Sequence, residues 1–212
     1  MAILTRAAPR REGIAPPPRR STRDGRRAWA LAGLFVLTWL PIAPGADAET
    51  SGKLTQEYDL KAAFLFNFAL FVDWPADAFP SPSTPITIGI LGEDPFGRSL
   101  DEVVAQETAH GRALVVRRYP AADRIDACHI LFIAASEAGR MESVLAPLAR
   151  RSILTVGETK EFTEHSGIIT FGVKQHRLRL RINMAAARAA RLTISSKLLR
   201  QSEIVGDKDD RP

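Results

Sequence analysis

From Tyr58 to Pro75 the chain reads YDLKAAFLFNFALFVDWP, the longest run of mixed aliphatic and aromatic residues after position 50. Only Asp59, Lys61, Asn67 and Asp73 interrupt it, so a helix formed here is apolar around most of its circumference and needs cover on more than one side. Phe64, Phe68 and Phe71 share one face at i, i+4 and i+7, while Phe66, Leu70 and Asp73 lie on another. Trp74-Pro75 closes the run, because the residue before a proline is pushed out of the helical region. The pattern predicts a helix over about 55–73, with an unstructured lead-in at 49–56. Its second face either packs on a neighbouring helix or meets a partner or second subunit through Phe64, Phe68, Phe71 and Trp74.

Four prolines between 75 and 85 predict a stiff, irregular connection. Beyond it the pattern alternates. Short apolar, β-branched runs at 86–92, 113–119, 130–135 and 153–157 read as strands, and the segments 99–108, 141–150 and 158–164 read as helices or turns. Asp94 before Pro95 reads as a helix cap followed by proline at the first helical position. Near-continuous apolar strands separated by helices argue for a mainly parallel sheet covered on both faces. The period then changes. GIITFGVK (167–174) and RLRLRIN (177–183) flank Gln175-His176 and read as an antiparallel hairpin. Met184–Ala190 predicts a short helix, Ser195–Val205 a closing helix, and 206–212 an unstructured tail. The fold class predicted is a three-layer α/β sandwich: a mainly parallel sheet of about six strands, with the hairpin at one edge.

The N-terminal segment has a different pattern. Eight arginines precede Ala28–Leu40, a 13-residue apolar run followed by Ala46-Asp47-Ala48, which is the layout of an export signal cleaved after Ala48. As a helix that run spans only about 20 Å at ~1.5 Å per residue, short of a bilayer's apolar core. The leader also explains the charge. Residues 1–48 hold 8 Arg and 3 acidic groups, which is the whole net +5, and residues 49–212 hold 21 basic and 21 acidic groups. A formally neutral exported domain removes the argument from basic charge to nucleic acid. The expected location is the periplasm, without stable membrane insertion once the signal is removed.

Candidate chemistry is sparse. Gly89, Gly92 and Gly97 follow the first strand, but their spacing departs from a dinucleotide-binding turn, and Glu93 and Asp94 stand where a pyrophosphate would be repelled. His110, His129, His165 and His176 lack metal-ligand spacing. Cys128 is the sole cysteine, and adjacent Cys128 and His129 point to opposite faces of an extended segment. No catalytic residue, metal or cofactor is expected. The strongest polar constellation is Arg177, Arg179 and Arg181, on one face of a strand ending at Asn183. Its arginines either guard an edge strand against aberrant pairing or recognise an acidic ligand or partner.

Taken together, Lys61–Pro75, ITIGILGEDPFG (86–97), GRALVVRR (111–118), ACHILFI (127–133), ILTVGE followed by Phe162, GIITF, and RLRLRIN…AARLTISSKLLR resemble the YfiR-like family of bacterial periplasmic proteins over about residues 57–205. The resemblance implies a non-enzymatic regulator that binds and inhibits the sensory domain of an inner-membrane signalling protein, a diguanylate cyclase, and lowers cyclic-di-GMP. We expect a homodimer. Disulfides carried by family members are not open to a chain whose only cysteine is Cys128. An alternative expectation is a small-molecule-binding domain acting on another membrane receptor or kinase, with its crevice at the strand ends near Gly92–Gly97.

Overall fold

The computed structural model describes residues 46–175 and 177–205. Most of the expected leader and the whole expected tail at 206–212 lie outside the described residues. The first element, α1, runs Ala46–Phe71, so residues 49–56 are helical rather than an unstructured lead-in. It ends where Val72–Asp73 (β1) pairs antiparallel with Thr193–Ile194 (β9), and Ser195 N–H donates to the carbonyl of Phe71 at 2.9 Å.

The remaining elements are β2 (Ile86–Leu91), α2 (Ser99–Val104), β3 (Thr108–Ala109), β4 (Arg112–Tyr119), β5 (Ile130–Ile133), α3 (Met141–Leu145), β6 (Leu154–Gly157), α4 (Lys160–Glu164), β7 (Ile169–Lys174), β8 (Arg177–Asn183), α5 (Met184–Ala189), α6 (Ser196–Leu199) and β10 (Ser202–Val205). Eight strands form the main sheet in the order β10-β8-β7-β6-β5-β2-β4-β3. Neighbours from β4 to β7 run parallel, and β7 and β8 form the antiparallel hairpin. The three-layer α/β expectation therefore holds, with eight strands in place of about six.

Two expectations need correction. The hairpin is not the edge, because β10 lies outside it and pairs parallel with Leu180–Asn183 of β8. The closing helix expected over 195–205 is only the four residues of α6. The run Ser202-Glu203-Ile204-Val205 follows the pairing offered by β8, so a tertiary contact overrides a weak local period. Likewise α2 stops at Val104, and α3 gives way to a tighter turn at Ala146–Leu148, where Pro147 has no N–H to continue an α-helix.

The sheet divides the core in two. On one face Ile88, Ile90, Ile130, Phe132, Val156 and Phe171 meet Leu65, Phe68 and Ala69 of α1 together with Leu100 of α2. On the other, Leu91, Leu131 and Ile133 meet Met141, Val144 and Leu145 of α3 and Phe162 of α4. Phe162 is fully buried and occupies space that glycine alone leaves open: a methyl group on Gly167 would stand 2.1 Å from its ring.

Candidate functional site

The inner face of α1 is spent on the core. Ala62, Leu65, Phe68 and Ala69 are fully buried. Phe68 stacks on Phe171 with ring centres 5.9 Å apart, and Phe64 meets the same ring edge-on at 6.1 Å. Phe68 is therefore excluded as a surface contact, because its position on the helix points it at the sheet. Trp74 is also committed: its indole N–H donates to the His129 carbonyl at 3.2 Å and its ring stands edge-on to the imidazole. Phe64, Phe66 and Phe71 are half-buried, and the Lys197 ammonium sits 4.9 Å above the Phe71 ring.

The outward side of α1 carries Leu60 and Leu70, 48% and 36% exposed, with half-buried Ala63 and Asn67 between them. Spacings of three and four place these residues in one stripe. Phe64 and Phe71 border it on one side and Phe66 on the other. An apolar stripe left uncovered by the described elements is a feature of association surfaces. Sequence reasoning singled out the aromatics and passed over the two leucines, because the phase of the helix relative to the sheet was open.

At the strand ends beside α1 lies a buried ionic knot. Lys61, 3% exposed, contacts Glu158 and Glu57, each at 2.5 Å. The Tyr58 hydroxyl donates to the other Glu158 oxygen at 3.0 Å, and the Lys61 ammonium lies 4.4 Å from the Tyr58 ring. Burial first, and then the Glu158 charge, push the Tyr58 hydroxyl well above its ordinary range. The knot fastens α1 to the residue that follows β6. Sequence offers a partial signal for it: a lysine inside an apolar run, four residues after a glutamate.

The Gly92–Gly97 turn lies nearby. Asp94 accepts the Phe96 N–H at 2.8 Å instead of capping a helix, and α2 starts later, at Ser99. Its second oxygen is held by Arg118, which also binds Asp101 and the Gly97 carbonyl. Hydrogen bonds from Arg118 lower the Asp101 carboxyl below the usual carboxylate range. The crevice expected here is an open hollow beside Tyr58 and Phe96, whose carboxylates Asp59 and Asp94 are already engaged by Ser99 and Arg118.

The arginine row occupies one face of β8, across from Lys174, Gly172 and Thr170 of β7. Arg177 and Arg179 are exposed. Arg181 is half-buried with Glu203 of β10 3.9 Å away. Because β10 covers this half of the strand, edge protection does not explain Arg181. Asn183 does not join the row, since its side chain accepts the Ala186 N–H and caps α5.

Neither Cys128 nor His129 is disposed for chemistry. Burial raises the Cys128 thiol to about 12, and its Sγ lies 3.1 Å from the Ile130 carbonyl. His129 Nδ1 accepts the Thr87 N–H at 3.0 Å, which places the ring proton on Nε2, 3.3 Å from the Ala78 carbonyl. Among the described residues no group of three or more His, Cys, Asp or Glu side chains is placed to hold a metal ion. No described helix is long and apolar enough to cross a membrane.

Comparison with known proteins adds one strong match. Residues 58–203 match the profile of a domain family described as YfiR/HmsC-like. No curated protein shows significant similarity. Among solved structures, a conserved domain protein from Vibrio cholerae is similar at 15% identity and TM-score 0.42, covering 56% of this chain and 54% of that one. The ABC domain in complex with L-Trp from Streptococcus pneumonia is similar at 13% identity and TM-score 0.43, covering 57% and 55%. The chain thus spans about half the length of the solved structures it resembles.

Proposed function

The chain belongs to the YfiR/HmsC-like family of periplasmic, non-catalytic regulators of diguanylate cyclase signalling, and from that membership we propose that it binds the sensory domain of an inner-membrane diguanylate cyclase and holds its output low. The observation that carries the contact surface is the stripe of Leu60, Ala63, Asn67 and Leu70 along α1, bordered by Phe64 and Phe71. Exposed leucines beside aromatic rings suit an interface core with a polar rim. The same stripe suits a second copy of the chain, since Asn67 carries both a donor and an acceptor and can pair with its own copy. Arg177 and Arg179, exposed and without an ion-pair partner among the described residues, suit an acidic surface on the cyclase.

The test is genetic and biochemical. Deleting the gene raises cyclic-di-GMP, wild-type protein restores it, and a Leu60→Glu/Leu70→Glu variant that reaches the periplasm folded does not. Cyclic-di-GMP unchanged by deletion under several growth conditions overturns the cyclase assignment. Full complementation by the double variant overturns the α1 surface.

A further inference from the structure

Where β6 and β7 begin, at the end of the sheet opposite the ionic knot, a cavity of about 340 Å³ opens between the 145–149 segment and α5. Six of the fifteen residues around it are alanines, set on both walls, and Leu145, Leu148, Ile153 and Ile168 supply most of the rest of its apolar surface. The volume falls within the range of small-molecule sites.

We propose that this cavity binds a small uncharged molecule with an apolar body and one acceptor oxygen, such as an aryl ketone or a short-chain ester. The polar groups at the wall decide the second half of that description. Thr155 is 4% exposed, and its Oγ1 accepts the Ile168 N–H at 3.1 Å. Its hydroxyl proton has no acceptor among the described residues. Asn183 gives its Oδ1 to the Ala186 N–H at 3.0 Å, and its amide N–H groups have no partner among the described residues. Glu142, His165 and Ser166 stand exposed at the mouth, and the two unspent groups further in, on Thr155 and Asn183, are donors, so the matching ligand presents an acceptor to them. Charge gives an anion little: no lysine or arginine lines the cavity, Glu142 does, and the one basic side chain there, His165, is exposed at the mouth. The site lies away from the α1 stripe and does not depend on the partner proposed above.

Prodan, a neutral naphthyl ketone whose emission shifts to the blue in apolar surroundings, is the probe. Titrated into the purified protein, it binds saturably at one site, and the anionic probe 1-anilinonaphthalene-8-sulfonate binds at least tenfold more weakly. Ala149→Leu and Ala186→Leu fill the cavity from opposite walls. Each weakens Prodan binding at least tenfold while leaving Tm close to the native value, as expected for substitutions on the open side of a groove. Using both walls keeps the test decisive if one variant fails to fold. Absence of saturable Prodan binding to the native protein overturns the proposal, and so does unchanged binding by a folded, filled variant.

Discussion

Lys61 and Glu158, 97 positions apart in the chain, meet at 2.5 Å, and through that contact the first helix is tied to the residue following the fourth strand of the parallel core. Burial makes the pair sensitive to the loss of one partner. Lys61→Met leaves the Glu158 and Glu57 carboxylates side by side without a cation and lowers stability by about 3 kcal/mol, in the range for breaking a buried pair. Glu158→Gln costs less, about 1–2 kcal/mol, because Glu57 still faces the ammonium. The double variant loses less than the sum of the two, which urea unfolding of the three proteins reads as a coupling. Strict additivity would mean that the contact contributes nothing.

The two faces of α1 respond oppositely to substitution. Phe68→Ala opens a cavity under the sheet and costs about 3–5 kcal/mol. Leu60→Glu and Leu70→Glu change stability by about 0.5 kcal/mol or less, as exposed substitutions do, and reduce the association mass measured by light scattering. If either leucine variant fails to fold, the outward face is core, and the contact surface assigned to it is wrong.

Acid sensitivity centres on His129. Burial, the largest cause, holds its pKa below the ordinary 6.5, and both ring nitrogens are engaged in the neutral form. The unfolded chain therefore takes up a proton at a higher pH than the folded one. The stability gained from neutral His129 is complete above about pH 7 and is lost as pH falls below the ordinary histidine value toward the folded one. Tm recorded from pH 7.5 to 5 declines across that window in the native protein. In His129→Gln it starts lower and stays flatter. An identical slope in both would place the acid sensitivity elsewhere.

Cys128 gives a reading of opening. With the thiol at about 12 and 7% exposed, a thiol reagent such as 5,5′-dithiobis(2-nitrobenzoate) reacts with the folded protein at least a hundredfold more slowly than with the protein in 6 M guanidinium (roughly the contrast expected for a buried, protonated thiol). Rapid native labelling would show that the strand entrance opens freely.

Much of this architecture was legible because buried parallel strands carry their own signature. ITIGIL, RALVVRRY, ILFI and LTVG lie within a residue or two of where their apolar runs place them, and the hairpin followed from the alternation of RLRLRIN. What escaped depended on contacts made across the chain. Ser202–Val205 has too few residues to show a period, and only Leu180–Asn183 makes it a strand. The two-residue pairing of Val72–Asp73 with Thr193–Ile194 left no pattern at all. At the surface the aromatic content of α1 was visible, but its rotation was not. Phe68 and Trp74 therefore turned from contact candidates into core and anchor, and Leu60 and Leu70 took their place.

Among the described residues the main sheet ends on one side in two residues, Thr108–Ala109, and on the other in four, Ser202–Val205. β3 covers only Arg112 and Ala113 of β4, so Val115–Tyr119 has no strand partner on its outer side among the described residues, and the charges of Arg117 and Arg118 along that border work against pairing with a foreign strand. Charge rather than full coverage then guards this border against accidental cross-chain ladders. On the helical and hairpin surfaces single substitutions change exposed side chains and leave the scaffold intact. One sheet of this kind can carry different surface side chains while its interior stays the same.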